Sequence, residues 1–198
     1  MVQFFLKASY LQLIKRVIRN IFCQLFKIHL YLVRLIIGRR YILYRLNKYS
    51  YWIGAADVLK ILGARVGERT HIEQGIQIQN AIGGGCSNLQ LGNNVYIGPG
   101  CLFDLASSII IEDEVALSAQ VSLVTHADVA DRPLAYHFPR KEGPIVIRRG
   151  TWIGVNTTIL HGITIGQCSV VGAMSLVNRD IPDKVVACGI PCKVVKDI

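Results

Sequence analysis

The chain has 198 residues, 52% of them hydrophobic and 18% charged, which excludes a disordered polymer and allows one well-cored domain with an appendage. Its formal net charge of +9 is lopsided: five Lys or Arg precede position 30, five more lie between 34 and 48, and all 13 acids lie beyond residue 50. A nucleic-acid binder would spread its cations over the body with aromatics interleaved, so nucleic acid is not an expected partner. A basic, apolar segment on a near-neutral body points instead to an anionic membrane surface.

Residues 11–37 read as one amphipathic helix. At 100° per residue, Ile14, Val17, Ile18, Ile21, Leu25, Ile28, Leu32, Leu35 and Ile36 share a face, and Lys15, Arg16, Arg19, Lys27 and Arg34 gather on the other. Lys27 and Arg34 interrupt any apolar run of membrane-spanning length. Two readings stay open: an interfacial helix with its cations toward lipid headgroups, or a helix packed on the body or a neighbouring subunit. The uniformly basic polar face favours the membrane surface. No signal-peptide pattern is present, and residues 38–58 read as a linker or a second short helix. The expected division is therefore 1–58, helical segment and linker, and 59–198, the body. Six cysteines, at 23, 86, 101, 168, 188 and 192, show no ligand spacing and read as buried free thiols of a reducing cytoplasm.

From position 66 the period changes to six. Val66, Ile72 and Ile78 are followed by Leu91, Ile97 and Phe103, then Ile111, Leu117 and Leu123. The beat returns without a missed step at Ile147, Ile153, Ile159, Ile165, Val171 and Val177. Four positions after the aliphatic comes a small or β-branched residue, as at Thr70, Val95, Cys101, Thr151, Thr157, Ser169 and Ser175. Neither an amphipathic helix nor a hairpin series has this period. Short strands joined by tight turns and coiled so that one aliphatic per step stacks inward do have it. The coil is expected from Val66 to about Pro182, with a C-terminal cap over 182–198.

The stretch Trp152-Ile-Gly-Val-Asn-Thr-Thr-Ile-Leu-His-Gly-Ile-Thr-Ile-Gly resembles the hexapeptide-repeat acyltransferases. So do Val171-Gly-Ala, Asn178-Arg-Asp-Ile-Pro and the ending Val185-Val-Ala-Cys-Gly-Ile-Pro-Cys-Lys-Val-Val. Among them the chain is most similar to the maltose, galactoside and polysaccharide O-acetyltransferases. The resemblance covers roughly residues 60–198 and implies a mainly β fold, a left-handed parallel β-helix. It also implies acetyl-CoA as co-substrate and a homotrimer with active sites between neighbouring coils.

The repeat breaks for 24 residues between Leu123 and Ile147, and an excursion over 124–146 from a rigid scaffold is where a site is expected. Acyl transfer from a thioester to a hydroxyl needs a base, and a histidine suits that role. His126 is the candidate, because catalytic histidines of the resembling enzymes sit at this rim. Aligned without gaps, the galactoside-type histidine falls on Asp128, whereas His126 matches the first histidine of a Thr-His-x-His-type sequence. In extended chain 126 and 128 project to one side, and of the two only His126 can act as base. Asp104, one coil beneath, is expected to meet acceptor hydroxyls or orient the imidazole, and Asp128 and His137 to contact acceptor. The resemblance assigns the donor to Trp152, Gly154, Val155, Ala173, Asn178, Arg179 and Lys193, with Arg179 and Lys193 meeting nucleotide phosphates. His161 reads as a turn residue, and His29 and His71 carry no motif. The spacing 126–137–161 does not suit a three-histidine metal centre, so no metal is expected.

The function expected is acetyl-CoA-dependent O-acetylation of a saccharide or glycoconjugate by a cytoplasmic enzyme, placed peripherally on the inner membrane face if the helix docks there. N-acetylation of an amino-sugar nucleotide and a non-catalytic coil scaffold are the alternatives.

Overall fold

A six-residue step leaves two residues for a strand and four for a turn, so the backbone bends three times per coil. The computed structural model describes residues 2–198 and shows that result. The first coil comprises β1 (Arg65–Val66), β2 (His71–Ile72) and β3 (Gln77–Gln79). The second has β4 (Leu89–Leu91), β5 (Tyr96–Ile97) and β6 (Leu102–Asp104), and the third β7 (Ile109–Ile111), β8 (Ala116–Leu117) and β9 (Ser122–Leu123). The chain then leaves the coil as an antiparallel ribbon of β10 (His126–Ala127) and β11 (Lys141–Glu142). It rejoins as β12 (Ile145–Ile147), β13 (Trp152–Ile153) and β14 (Thr158–Ile159), followed by β15 (Thr164–Ile165), β16 (Val170–Val171) and β17 (Leu176–Val177). β18 (Val185–Cys188) and β19 (Lys193–Asp197) follow as an antiparallel pair.

The strands stack in parallel into three faces of a left-handed β-helix. Face 1 runs β1-β4-β7-β12-β15, face 2 runs from β2 through β5, β8, β13 and β16 to β18, and face 3 runs β3-β6-β9-β14-β17. Register sets like on like: Ile97 on Leu117, Leu117 on Ile153, Ile153 on Val171, and Phe103 on Leu123 on Ile159 on Val177. From the second coil upward these side chains are buried, each worth about 1.5–3 kcal/mol relative to exposure. The small polar residues do more than fill space. The buried hydroxyls of Thr151 and Ser169 donate to the carbonyls of Gly166 and Pro182, both at 2.7 Å, tying adjacent coils together.

A stacked coil needs a lid on its first turn. Val66, Ile72 and Ile78 are only half-buried, and helices supply the rest of the cover. They are α1 (Val2–Ile36), α2 (Arg39–Tyr44), α3 (Leu46–Ile53) and α4 (Ala55–Ile61). Helix α1 thus starts well before the expected position 11. Residues 38–58, expected as a linker or one short helix, hold parts of three, and the helical region runs on to Ile61. Leu30, Val33, Ile42, Leu46, Val58, Leu59 and Leu62 are buried in a core continuous with that of the coil.

The side of α1 that packs is not the one its periodicity suggests. All nine aliphatics of the expected apolar face are exposed, between 41% and 81%. The opposite side meets the body through Phe26, Leu30 and Val33, with Lys27 and Arg34 half-buried among them. Lys27 Nζ pairs with Asp57 at 2.8 Å, and Arg34 Nη1 donates to the Ile61 carbonyl at the end of α4, also at 2.8 Å. Long cationic stems lie over apolar surface while their heads find an acid and a helix C-terminus. These two cations therefore serve packing and face no headgroup, which corrects part of the expected arrangement.

The cysteines also divide. Cys86, Cys101 and Cys192 are buried, Cys23 is half-buried, and Cys168 and Cys188 are exposed near coil corners, against the expectation of uniform burial. Burial pushes the Cys86 thiol up to about 12 and that of Cys101 to about 11, which keeps both protonated and inert.

Candidate active site

The turns from face 3 to face 1 stack one above another and form a long edge of the prism. Asn80 lies on this edge in the first coil, Asp104 in the second, His126 in the third, His161 in the fourth and Arg179 in the fifth. The lower three are joined. Asn80 Nδ2 donates to Asp104 Oδ1 at 2.7 Å, and Asp104 Oδ2 lies 2.5 Å from His126 Nδ1. The same carboxylate accepts the backbone N–H groups of Ala106, Thr125 and His126 and the Thr125 hydroxyl.

Asp104 is 2% exposed, with both oxygens engaged inside the protein. Its expected roles were to meet acceptor hydroxyls or to orient the imidazole, and its oxygens are held by Asn80, Ala106, Thr125 and His126. Burial pushes the carboxyl up, but the hydrogen bonds from His126, Asn80 and Ala106 and the charge of His126 outweigh it, so the group sits below its usual value. A carboxylate can only accept, so in the neutral imidazole the proton of His126 sits on Nδ1 and Nε2 is left as the acceptor. That is the tautomer a general base needs.

His126 opens β10, and the ribbon walls a cavity beyond it of about 400 Å³, lined by Ala127, Asp128, Val129, His137, Phe138, Pro139 and Lys141. Two expected acceptor contacts, Asp128 and His137, thus share one cavity. The Asp128 carboxylate is held below its usual value by the Ala130 N–H and the Arg140 guanidinium, which ion-pairs with it. It fixes the ribbon while facing the cavity. His137 is exposed, its ring edge-on to Tyr136 at 5.2 Å.

The expected donor residues fall in two groups. Asn178, Arg179 and Lys193 line one cavity of about 420 Å³ on the His126 edge, two coils above the base. Two exposed cations in a cavity of that size suit a nucleotide's phosphates. Trp152 stands half-exposed on face 2, its Nε1 donating to Ser118 Oγ at 3.0 Å. Val155 and Ala173 are exposed at the turn between faces 2 and 3. Within one chain the whole of face 3 separates these three from His126. Gly154 is buried between them and serves packing, because a Cβ there would lie 2.5 Å from the Ala173 backbone nitrogen. Among the described residues no group of three or more His, Cys, Asp or Glu side chains could hold a metal ion.

No family model matches the chain. Galactoside O-acetyltransferase of Escherichia coli (strain K12) is 34% identical over 147 residues, which span 72% of this chain and 68% of that protein. The chain belongs to the hexapeptide-repeat acetyltransferases of the galactoside and maltose type. An acetyltransferase of Staphylococcus aureus (strain COL) is 41% identical over 115 residues, 56% of each chain, so the match spans about half of that relative. A maltose O-acetyltransferase from Clostridium difficile 630 superposes with a TM-score of 0.68 at 31% identity, covering 83% of this chain and 88% of that one. A galactoside acetyltransferase solved in complex with coenzyme A gives a TM-score of 0.68 at 27% identity, covering 82% and 80%. As a member of this family the protein is an acyltransferase.

Asn80, Thr125, Arg140 and Ser118 are site residues that sequence reasoning did not find. Asn80 reaches Asp104 across 24 residues and a broken step of the repeat, so no spacing announces it. Arg140 could have been read from charge, as one of three Lys or Arg in an excursion that also carries Asp128 and Glu142.

Proposed function

We propose that this acetyltransferase moves an acetyl group from acetyl-CoA to a hydroxyl of a saccharide or glycoconjugate, with His126 as general base and both substrates bound together. The observation that carries the reading is the Asn80–Asp104–His126 chain, set at the base of a ribbon whose cavity, lined from Ala127 onward, is large enough for a sugar. The imidazole Nε2 takes the acceptor hydroxyl proton as that oxygen bonds to the thioester carbonyl carbon. A backbone N–H of the coil meets the oxyanion. The carbon–sulfur bond then breaks, and the imidazolium returns the proton to the departing thiolate. Asp104 holds the ring in register and balances its transient charge, as an acid does for other catalytic histidines.

Arg179 and Lys193 suit the donor's phosphates, and Trp152, Val155 and Ala173 offer a surface for its pantetheine arm. Their separation from His126 by a full face favours a homotrimer, in which one subunit brings its face-2 side against a neighbour's catalytic edge. The enzyme would then act in the cytoplasm, on a soluble sugar or on a glycoconjugate presented at the inner membrane face.

The test is acetyl transfer from acetyl-CoA across a panel of mono- and disaccharides, read as thiol release and product mass. Transfer to a sugar hydroxyl supports the reading. Transfer confined to amino-sugar amines, or no coenzyme A binding at all, contradicts it.

A further inference from the structure

We propose that the exposed aliphatic stripe of α1 docks the protein on an anionic lipid surface, with the body carried on the helix's opposite side. This goes beyond the acetyl-transfer reading and does not depend on it.

The stripe is built to a single side. Its nine aliphatic side chains, from Ile14 to Ile36, stay between 41% and 81% exposed, while the helix satisfies its contacts to the body through the other side. A run of this length is not the scattered single exposure of an ordinary soluble surface. It is also not a membrane span, since among the described residues no helix is long and apolar enough to cross one. At about 1.5 Å per residue α1 extends roughly 50 Å, and every side chain from Leu13 to Phe22 is exposed, so this stretch reaches past the body.

Charge decides between the two occupants an apolar stripe could have. No acid precedes Asp57, and Asp57 is itself paired with Lys27. A second copy of α1 laid against the first would set two acid-free cationic segments together with nothing to neutralise them. An anionic bilayer supplies the missing charge, and Lys15, Arg16 and Arg19 on the polar side lie within a Debye length of its surface. Apolar side inward and basic side outward is the arrangement of interfacial helices.

The catalytic edge also begins at this end. Gly84, in the turn that follows Asn80, packs on the backbone of Arg40 in α2, so the Asn80–Asp104–His126 edge rises from the helical cap. A surface-bound acceptor would therefore meet the site near where the protein is held.

Flotation of the full chain with phosphatidylcholine vesicles, with and without phosphatidylglycerol, tests this. The expected result is co-flotation with the anionic vesicles, weakened by salt and reduced roughly tenfold or more by Leu25→Glu, Ile28→Glu and Leu32→Glu combined. Lys15→Gln, Arg16→Gln and Arg19→Gln combined should remove the preference for anionic over neutral vesicles. Both variants should retain acetyl transfer to a soluble acceptor and the parent oligomeric mass by light scattering. No flotation of the parent, or equal flotation of the stripe variant, overturns the proposal. So does a change of oligomeric mass in the stripe variant, which would make the stripe a contact between copies. Loss of transfer in the parent would count against the enzymatic reading alone.

Discussion

Asp104 gathers more hydrogen bonds than a buried carboxylate needs for its own solvation, and that excess fixes His126. Replacing it by Ala would leave the buried Thr125 N–H without its partner, at about 1–3 kcal/mol, while the Thr125 hydroxyl keeps the main-chain carbonyl of residue 104. Asp104→Asn keeps the shape and removes the charge. Because the folded carboxyl sits below its usual value of 3.8, its charge stabilises the native state above that value and the contribution disappears as pH falls through the depressed one. The stability gap between the parent and Asp104→Asn should accordingly be full at neutral pH and shrink below about pH 4, as urea titrations at several pH values would show. Asn80→Ala, one step further from the chemistry, should lower kcat with KM nearly unchanged, because it loosens the base and touches no substrate. Equal losses in kcat at every position of the chain would argue for simple unfolding, which thermal melts would expose.

At the scale of elements, the coil and the ribbon can be separated by experiment. A side chain at Gly154 must push the Ala173 turn away, because a Cβ there lies 2.5 Å from backbone. Gly154→Val should lower stability by about 1–3 kcal/mol or more, read as a fall in Tm. The ribbon should behave oppositely. Replacing residues 129–140 by a short Gly-Ser turn removes about half the lining of the ribbon's cavity, the proposed acceptor site, and no inward-facing aliphatic of the coil. The coil's Tm and its coenzyme A binding should persist, while the KM for acceptor rises at least tenfold or transfer ceases.

The six-residue beat made the coil legible because stacking demands one identical choice per step, so errors of register could not accumulate between Ile147 and Val177. His126 was legible from the break after Leu123 and from the resemblance to enzymes with a histidine at this rim, and Asp104 because it belongs to the coil beneath. Asn80 was not, because the step from Ile78 to Leu91 breaks the count just where its partner must be found. The helix shows a different limit. Periodicity located the apolar stripe of α1 correctly, but the body packs on the side bearing Lys27 and Arg34, and no rule of patterning says which side a neighbour will choose. The burial of Leu30 and Val33, the acid at Asp57 and the carbonyl end of α4 decide that together, and all are tertiary facts.

For the whole molecule, if Trp152, Val155 and Ala173 hold the donor as proposed, their separation from His126 leaves a lone subunit incomplete. Light scattering should return a mass three times the 22.0 kDa of the chain, and dilution below the assembly's dissociation range should extinguish activity cooperatively. In the proposed reaction one imidazole, held by Asp104, takes the proton in acetyl transfer. Steady-state transfer from acetyl-CoA by His126→Ala, with the best acceptor found for the parent, tests this most directly. The expected result is a kcat lower by roughly 10²–10⁴ with coenzyme A affinity retained. A variant that transfers within twofold of the parent would contradict it.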